Sequence, residues 1–154
     1  KALANSKTKG LEQYLKSKTN SIISETPKEN KIENLGLGDL LKNYNKTKNY
    51  KTLVKIIQGY IKNNQNEALY SLTKSELDLF PTQPYLYYAN GLALTNLKKY
   101  KEAVAVLLIG IDFVIDNTTL KIEFYNKLAT CYTELNQPKE ALKYKQKASV
   151  LRKE

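Results

Sequence analysis

The chain is 154 residues long, enough for one domain with a substantial core, and 42% of it is hydrophobic with only six Gly and four Pro. That balance is globular and helix-rich and excludes disordered or collagen-like chains. The net charge of +10 comes from 24 Lys and one Arg against 15 acids, and there is no His.

Charge and residue type narrow the function classes further. Arg grips phosphate and base edges bidentately, so an excess made almost wholly of Lys argues against nucleic acid. Lys, Asn, Ile and Tyr are abundant together, as an AT-rich genome produces without selection for binding. The excess is uneven: residues 1–62 carry 13 Lys against 5 acids, residues 63–154 carry 12 basic against 10 acidic. A basic front half suits an acidic partner or an anionic surface, and a solvated lysine-rich face is the simpler account.

Without His the commonest general base and metal ligand is missing, and a single cysteine, Cys131, cannot complete a zinc set. Gly36 and Gly38 form a lone GLG without the rest of a phosphate loop. Asp112 and Asp116, four residues apart, read as a helix-end charge feature. The chain is expected to be non-catalytic, with no cofactor and no metal. Cys131 sits in a helical pattern, where a lone Cys acts as a small buried hydrophobe.

There is no Met, so Lys1 is not a translation start and the chain is expected to be processed or part of a longer one. Residues 1–30 hold no signal-peptide-like apolar segment. The most apolar run, 103–114, contains Asp112 and falls short of the ~20 residues a membrane span needs.

Residues 1–10 lack periodicity and read as a tail. Leu11, Tyr14, Leu15, Ile22 and Ile23 share one face of a helix over about 10–23, followed by a polar connection at 24–34 with Pro27. Leu37, Leu40, Leu41 and Tyr44 give a second helix, broken by NKTKN at 45–49. The third, about 50–62, carries Leu53, Ile56, Ile57 and Tyr60 and ends at NNQN, where Asn tolerates the left-handed conformation. The fourth, about 66–79, is stopped by FPTQP at 80–84. Residues 84–116 form two antiparallel helices joined by a short polar turn, and Pro84 suits a first turn because its missing N–H would be unpaired anyway. DNTT at 116–119 has N-cap chemistry for a seventh helix, about 118–135, and NQP at 136–138 leads into an eighth, about 138–152. Connections this short make neighbouring helices antiparallel.

The helices repeat. Tyr87, Gly91, Leu94, Tyr100, Ala103 and Leu107 recur 38 residues later as Tyr125, Ala129, Tyr132, Pro138, Ala141 and Lys145. The small residues are expected where partner helices cross, and the large ones in the gaps on either side. With Gly110 and Ala148 added, the pattern resembles the tetratricopeptide repeat, a helix–turn–helix unit of about 34 residues. The spacing of 38 predicts that the sixth helix, or the turn after it, is about one turn longer than usual. Asn90, Pro138 and Lys145 depart from the pattern, and the last two suit a terminal repeat whose outer face is solvated. Leu53, Ile57 and Tyr60 precede Tyr87, Gly91 and Leu94 by 34, which makes 50–83 a degenerate repeat. A rival register aligns Tyr44, Tyr50, Leu53 and Ile57 with Leu94, Tyr100, Ala103 and Leu107 at an offset of 50; LDLFPTQP, typical of the end of a second helix, favours the former. The resulting division is a tail at 1–10, divergent N-terminal helices at 11–49, the degenerate repeat at 50–83, a repeat at 84–117, and a C-terminal repeat with a solvated capping helix at 118–154.

The resemblance implies an all-α, right-handed superhelical array of antiparallel helix pairs with about eight helices. It also implies a protein–protein interaction scaffold of bacterial type whose first helices line a concave groove. Carried over position by position, that groove holds Tyr85, Tyr88, Ala89, Leu92 and Asn96 in the central repeat. The next contributes Glu123, Asn126, Lys127, Thr130 and Glu134, and the preceding one Lys51, Val54, Lys55, Gln58 and Lys62. The groove is expected to run from basic through aromatic to mixed charge. Tyr85 and Tyr88 are its expected anchors, unless they pack on a neighbouring repeat instead. Chaperone-binding members grip a C-terminal carboxylate with Lys and Asn. The matching Val54, Gln58, Ala89, Glu123 and Lys127 include one residue of that type, so that activity is not implied.

The expected partner is another protein or a peptide within a larger assembly. Nucleic acid and membrane insertion are not expected; peripheral attachment through an upstream segment, as a processed lipoprotein on the periplasmic side, and the bacterial cytoplasm both fit. Two alternatives stand beside the scaffold: a Lys-rich binder of nucleic acid or another anionic surface, and a structural homo-oligomer. The second rests on the sixth helix, apolar almost all round from Val104 to Ile115, which is either sandwiched between repeats or docks one flank on another subunit.

Overall fold

The computed structural model describes residues 36–153. Among them are seven α-helices and no strand: α1 (Leu37–Thr47), α2 (Tyr50–Lys62), α3 (Asn66–Glu76), α4 (Pro84–Asn96), α5 (Tyr100–Ile111), α6 (Thr118–Glu134) and α7 (Pro138–Leu151). The expected tail, the helix at 10–23 and the Pro27 connection lie outside the described residues. The described residues divide into two units between Leu53 and Val54, so the boundary falls within α2.

In the first unit α1 buries Leu40 and Tyr44 and stops at Lys48, which adopts the left-handed conformation (φ 47°) and returns its N–H to the Tyr44 carbonyl. The Asn49 side chain accepts from the Thr52 N–H at 3.2 Å, capping the start of α2.

In the second unit the same turn is built three times. Asn64, Lys98 and Asn136 each take a positive φ just past the ends of α2, α4 and α6. The following N–H groups of Gln65, Lys99 and Gln137 reach back to the carbonyls of Tyr60, Leu94 and Tyr132 at 2.9, 2.8 and 2.8 Å, a Schellman closure. The carbonyls of those same three residues then open the next helix by accepting from Leu69, Ala103 and Ala141. Asn117 caps α6, accepting from the Leu120 N–H at 2.9 Å.

Two helices are shorter than expected. α3 ends at Glu76 rather than near 79, where the N–H groups of Leu79 and Phe80 both return to the Glu76 carbonyl and close a turn ahead of Pro81. α5 ends at Ile111, where three successive N–H groups, from Asp112 to Val114, bond three residues back and tighten the chain. Phe113 then stacks on Tyr87 (5.5 Å), Val114 enters the core, and Ile115 is left outward. The four extra residues of the 38-residue spacing are therefore not in the sixth helix or the turn after it. They lengthen α6, which has 17 residues against 13 in α4.

α4 packs against α3, α5 and α6, and α6 against α5 and α7. Close approach is set by missing side chains. A Cβ on Gly91 would lie 2.5 Å from Leu107 Cδ2, and one on Gly110 would run into the Tyr87 Cβ and the Phe124 ring. Leu94, Ala103, Leu107, Phe124, Leu128 and Cys131 form the core between these helices. The most enclosed helix is α4, which buries Leu86, Ala89 to Gly91 and Ala93 to Thr95. α5 packs between α4 and α6, burying Ala103, Leu107 and Gly110 with Val104, Val106 and Ile111 half-buried, while its outer flank leaves Leu108 and Ile109 exposed.

Candidate protein-binding groove

The stripe Tyr85, Tyr88, Leu92 and Asn96 follows helical spacing along α4, so one face of one helix carries all four. Tyr85, Tyr88 and Leu92 are half-buried and Asn96 is exposed. The two tyrosine rings stack at 6.4 Å with 28° between their planes. Tyr88 also meets the edge of Phe124 at 5.6 Å and donates its hydroxyl to Glu123 Oε2 at 3.4 Å. Burial, then the Glu123 carboxylate and the hydrogen bond to it, push the Tyr88 hydroxyl up to about 12. Burial moves Tyr85 in the same direction. Tyr88 thus ties α4 to α6, while Tyr85 stacks on it without a hydrogen-bond partner among the described residues.

Asn96 donates to the Asn66 side chain at 2.8 Å, joining the end of α4 to the start of α3. Ala89, expected in the groove, is fully buried instead. A small residue at that position turns inward because α4 is enclosed on three sides. Lys51, on α2 in the first unit, is exposed. In the second unit Lys55 is half-buried and Gln58 and Lys62 are exposed. No hydrogen bond, ion pair or ring contact among the described residues joins those three to the tyrosine pair.

Lys127 is half-buried, and its charge partly offsets the burial that pushes the Cys131 thiol up. Asn126 is hydrogen-bonded to the residue that caps the end of α7. Its side-chain oxygen accepts from Arg152 at 3.3 Å, and it lines an open cavity of about 340 Å³ with Ala129, Thr130, Thr133, Glu134 and Lys145. Thirty-eight residues earlier the same positions are Tyr88, Gly91, Leu92, Thr95, Asn96 and Leu107, of which Tyr88, Thr95 and Leu107 pack on α6. The last helix pair therefore presents polar groups where the preceding pair presents a packing surface.

Sequence reasoning missed Phe124 as the wall behind Tyr88 and Thr95 as the partner of Cys131, whose Sγ lies 3.2 Å from the threonine oxygen. Glu123 was visible, since it stands 38 residues after Tyr85. No helix among the described residues is long and apolar enough to cross a membrane.

These features define an all-α, tetratricopeptide-like array of antiparallel helix pairs. Two solved structures of MamA share the fold: MamA AMB-1 at TM-score 0.65, 19% identity, covering 76% of this chain and 68% of that one, and MamA MSR-1 at TM-score 0.63, 19% identity, covering 83% and 71%. No family model matches the chain, and no curated protein sequence does.

Proposed function

We propose that the chain is a non-catalytic protein–protein interaction scaffold that holds a segment of its partner along the face bearing Tyr85, Tyr88 and Leu92. The observation that carries this reading is the stacked Tyr85–Tyr88 pair. It is half-buried, held against Phe124 and Glu123, and so offers aromatic area whose ordering cost has already been met by the fold. Lys55, Gln58 and Lys62 on one side and Lys127 and Asn126 on the other extend the groove, and the repeat boundaries at 50–83, 84–117 and 118–154 belong to the same proposal. The threefold turn at Asn64, Lys98 and Asn136 supports those boundaries, and the MamA-like fold supports the scaffold reading. Membership of a larger bacterial assembly, with peripheral attachment to the envelope, rests on the sequence alone.

The test is site-specific photo-cross-linking in the native cell, with a photoreactive residue at position 85 or 127 and a control at Lys147 on the outer face of α7. A single partner segment captured from 85 and 127 and not from 147 is the expected result. Capture that is equal at all three positions, or absent at 85, overturns the groove.

A further inference from the structure

The outer face of α5 departs from its neighbours in a way the repeat does not require. Aligned through the three left-handed turns, Ala105, Leu108 and Ile109 correspond to Ser71, Lys74 and Ser75 on α3 and to Lys143, Gln146 and Lys147 on α7. All nine residues are exposed, and of the nine only those of α5 are apolar; α7 exposes Leu142 and Val150 at the positions that correspond to Val104 and Asp112. Leu108 is 37% exposed, Ile109 53%, and Ile115 just beyond the helix 78%. Outward positions of a helical array are normally polar, so an apolar stripe on one helix marks a covered surface.

The ends of the stripe indicate what covers it. Lys101 and Asp112 lie on the same face, about 16 Å apart along the axis, one at each end. Both are exposed, and neither forms an ion pair among the described residues. Charges of opposite sign at opposite ends of one apolar stripe are self-complementary under a two-fold axis. Two copies of α5 laid antiparallel place Lys101 of each beside Asp112 of the other, and the small Ala105 opposite the large Leu108.

We propose that α5 is an isologous dimer interface, formed by a second copy of this chain packing antiparallel across Ala105 and Leu108. The interface lies on a helix face separate from Tyr85 and Tyr88, so it leaves the proposed groove open in both copies.

The test is sedimentation equilibrium on the full chain over a wide concentration range. The wild type is expected to dimerise. Leu108→Lys is expected to abolish the dimer, and Lys101→Asp or Asp112→Lys each to weaken it by about tenfold or more, because two like-charge pairs replace two opposite ones. The double exchange, Lys101→Asp with Asp112→Lys, is expected to restore it. These side chains are outside the core, so helical circular dichroism reports that each variant stays folded. A wild type that remains monomeric, or a double exchange that does not recover association, overturns the proposal. Flotation with phosphatidylglycerol vesicles that Leu108→Lys abolishes also overturns it and assigns the stripe to a lipid surface.

Discussion

The Asn90 amide donates to Thr73 Oγ1 at 2.9 Å, deep between α4 and α3. Both side chains are buried, and Thr73 in turn donates to the Leu69 carbonyl at 2.7 Å. This chain of bonds explains a polar residue where the repeat pattern has an aliphatic one. Thr73→Val removes the acceptor and leaves the buried amide only the Tyr70 carbonyl, at 3.4 Å. The expected cost is about 1–3 kcal/mol in chemical denaturation. Adding Asn90→Leu removes the stranded donor and should recover most of the loss. A double variant as unstable as Thr73→Val alone would show that the pair does not act through this bond.

Gly110 and Gly91 differ in what faces them. The missing Cβ of Gly110 leaves room for the root of Tyr87, which cannot move without shifting α4, whereas that of Gly91 leaves room for the end of the Leu107 side chain. Overpacking should outweigh the helix propensity gained by alanine at Gly110, for a loss of about 3 kcal/mol. Gly91→Ala should cost about 1 kcal/mol, because a leucine end adjusts. Thermal unfolding of the two variants gives the ranking directly.

Tyr88 makes stability depend on alkaline pH. Its folded value is raised from 10.0 to about 12, so the native state holds the phenolic proton more tightly than the unfolded chain does. The resulting stabilisation is complete below pH 10 and is lost as pH rises through about 12. Tyr88→Phe keeps the ring contacts and removes the titration. Its denaturation midpoint should fall less steeply than that of wild type across this window, and parallel curves would refute the assignment.

The left-handed turn after α4 uses a lysine, Lys98 at φ 61°, where the turns after α2 and α6 use Asn64 and Asn136. A β-carbon strains that conformation, and Asn and Gly tolerate it better. Lys98→Gly should raise stability by about 0.5–1 kcal/mol, and Lys98→Asn by somewhat less, both measurable as shifts in Tm.

Most of the fold was legible because its signals are local. Pro84, Asn117 and the Asn-rich turns act within a few residues, and the apolar spacing of Leu53, Ile56 and Ile57 requires no knowledge of neighbours. The end of α5 was not legible, since Phe113, Val114 and Ile115 continue an apolar run and only the inward turn of Val114 separates core from surface. The extra turn was misplaced for a related reason. A spacing of 38 records how many residues were added, not which helix received them. In the candidate groove, register put Tyr85 and Glu123 at corresponding positions and Tyr88 on the same face as Tyr85, but the surroundings of Ala89 and Asn126 depend on how enclosed each helix is. That enclosure differs between an internal pair and the last one.

The contact between Cys131 and Thr95 turns the core into its own stopwatch. The thiol is completely inaccessible, burial pushes its ionisation upward, and it lies between α4 and α6, the helices that Tyr88 also ties together. A maleimide or disulfide reagent can therefore modify the chain only during moments when those helices part. Labelling rates, followed by mass on otherwise native protein, would time that separation, and any partner or second copy that clamps the array would lengthen the wait without touching the sulfur.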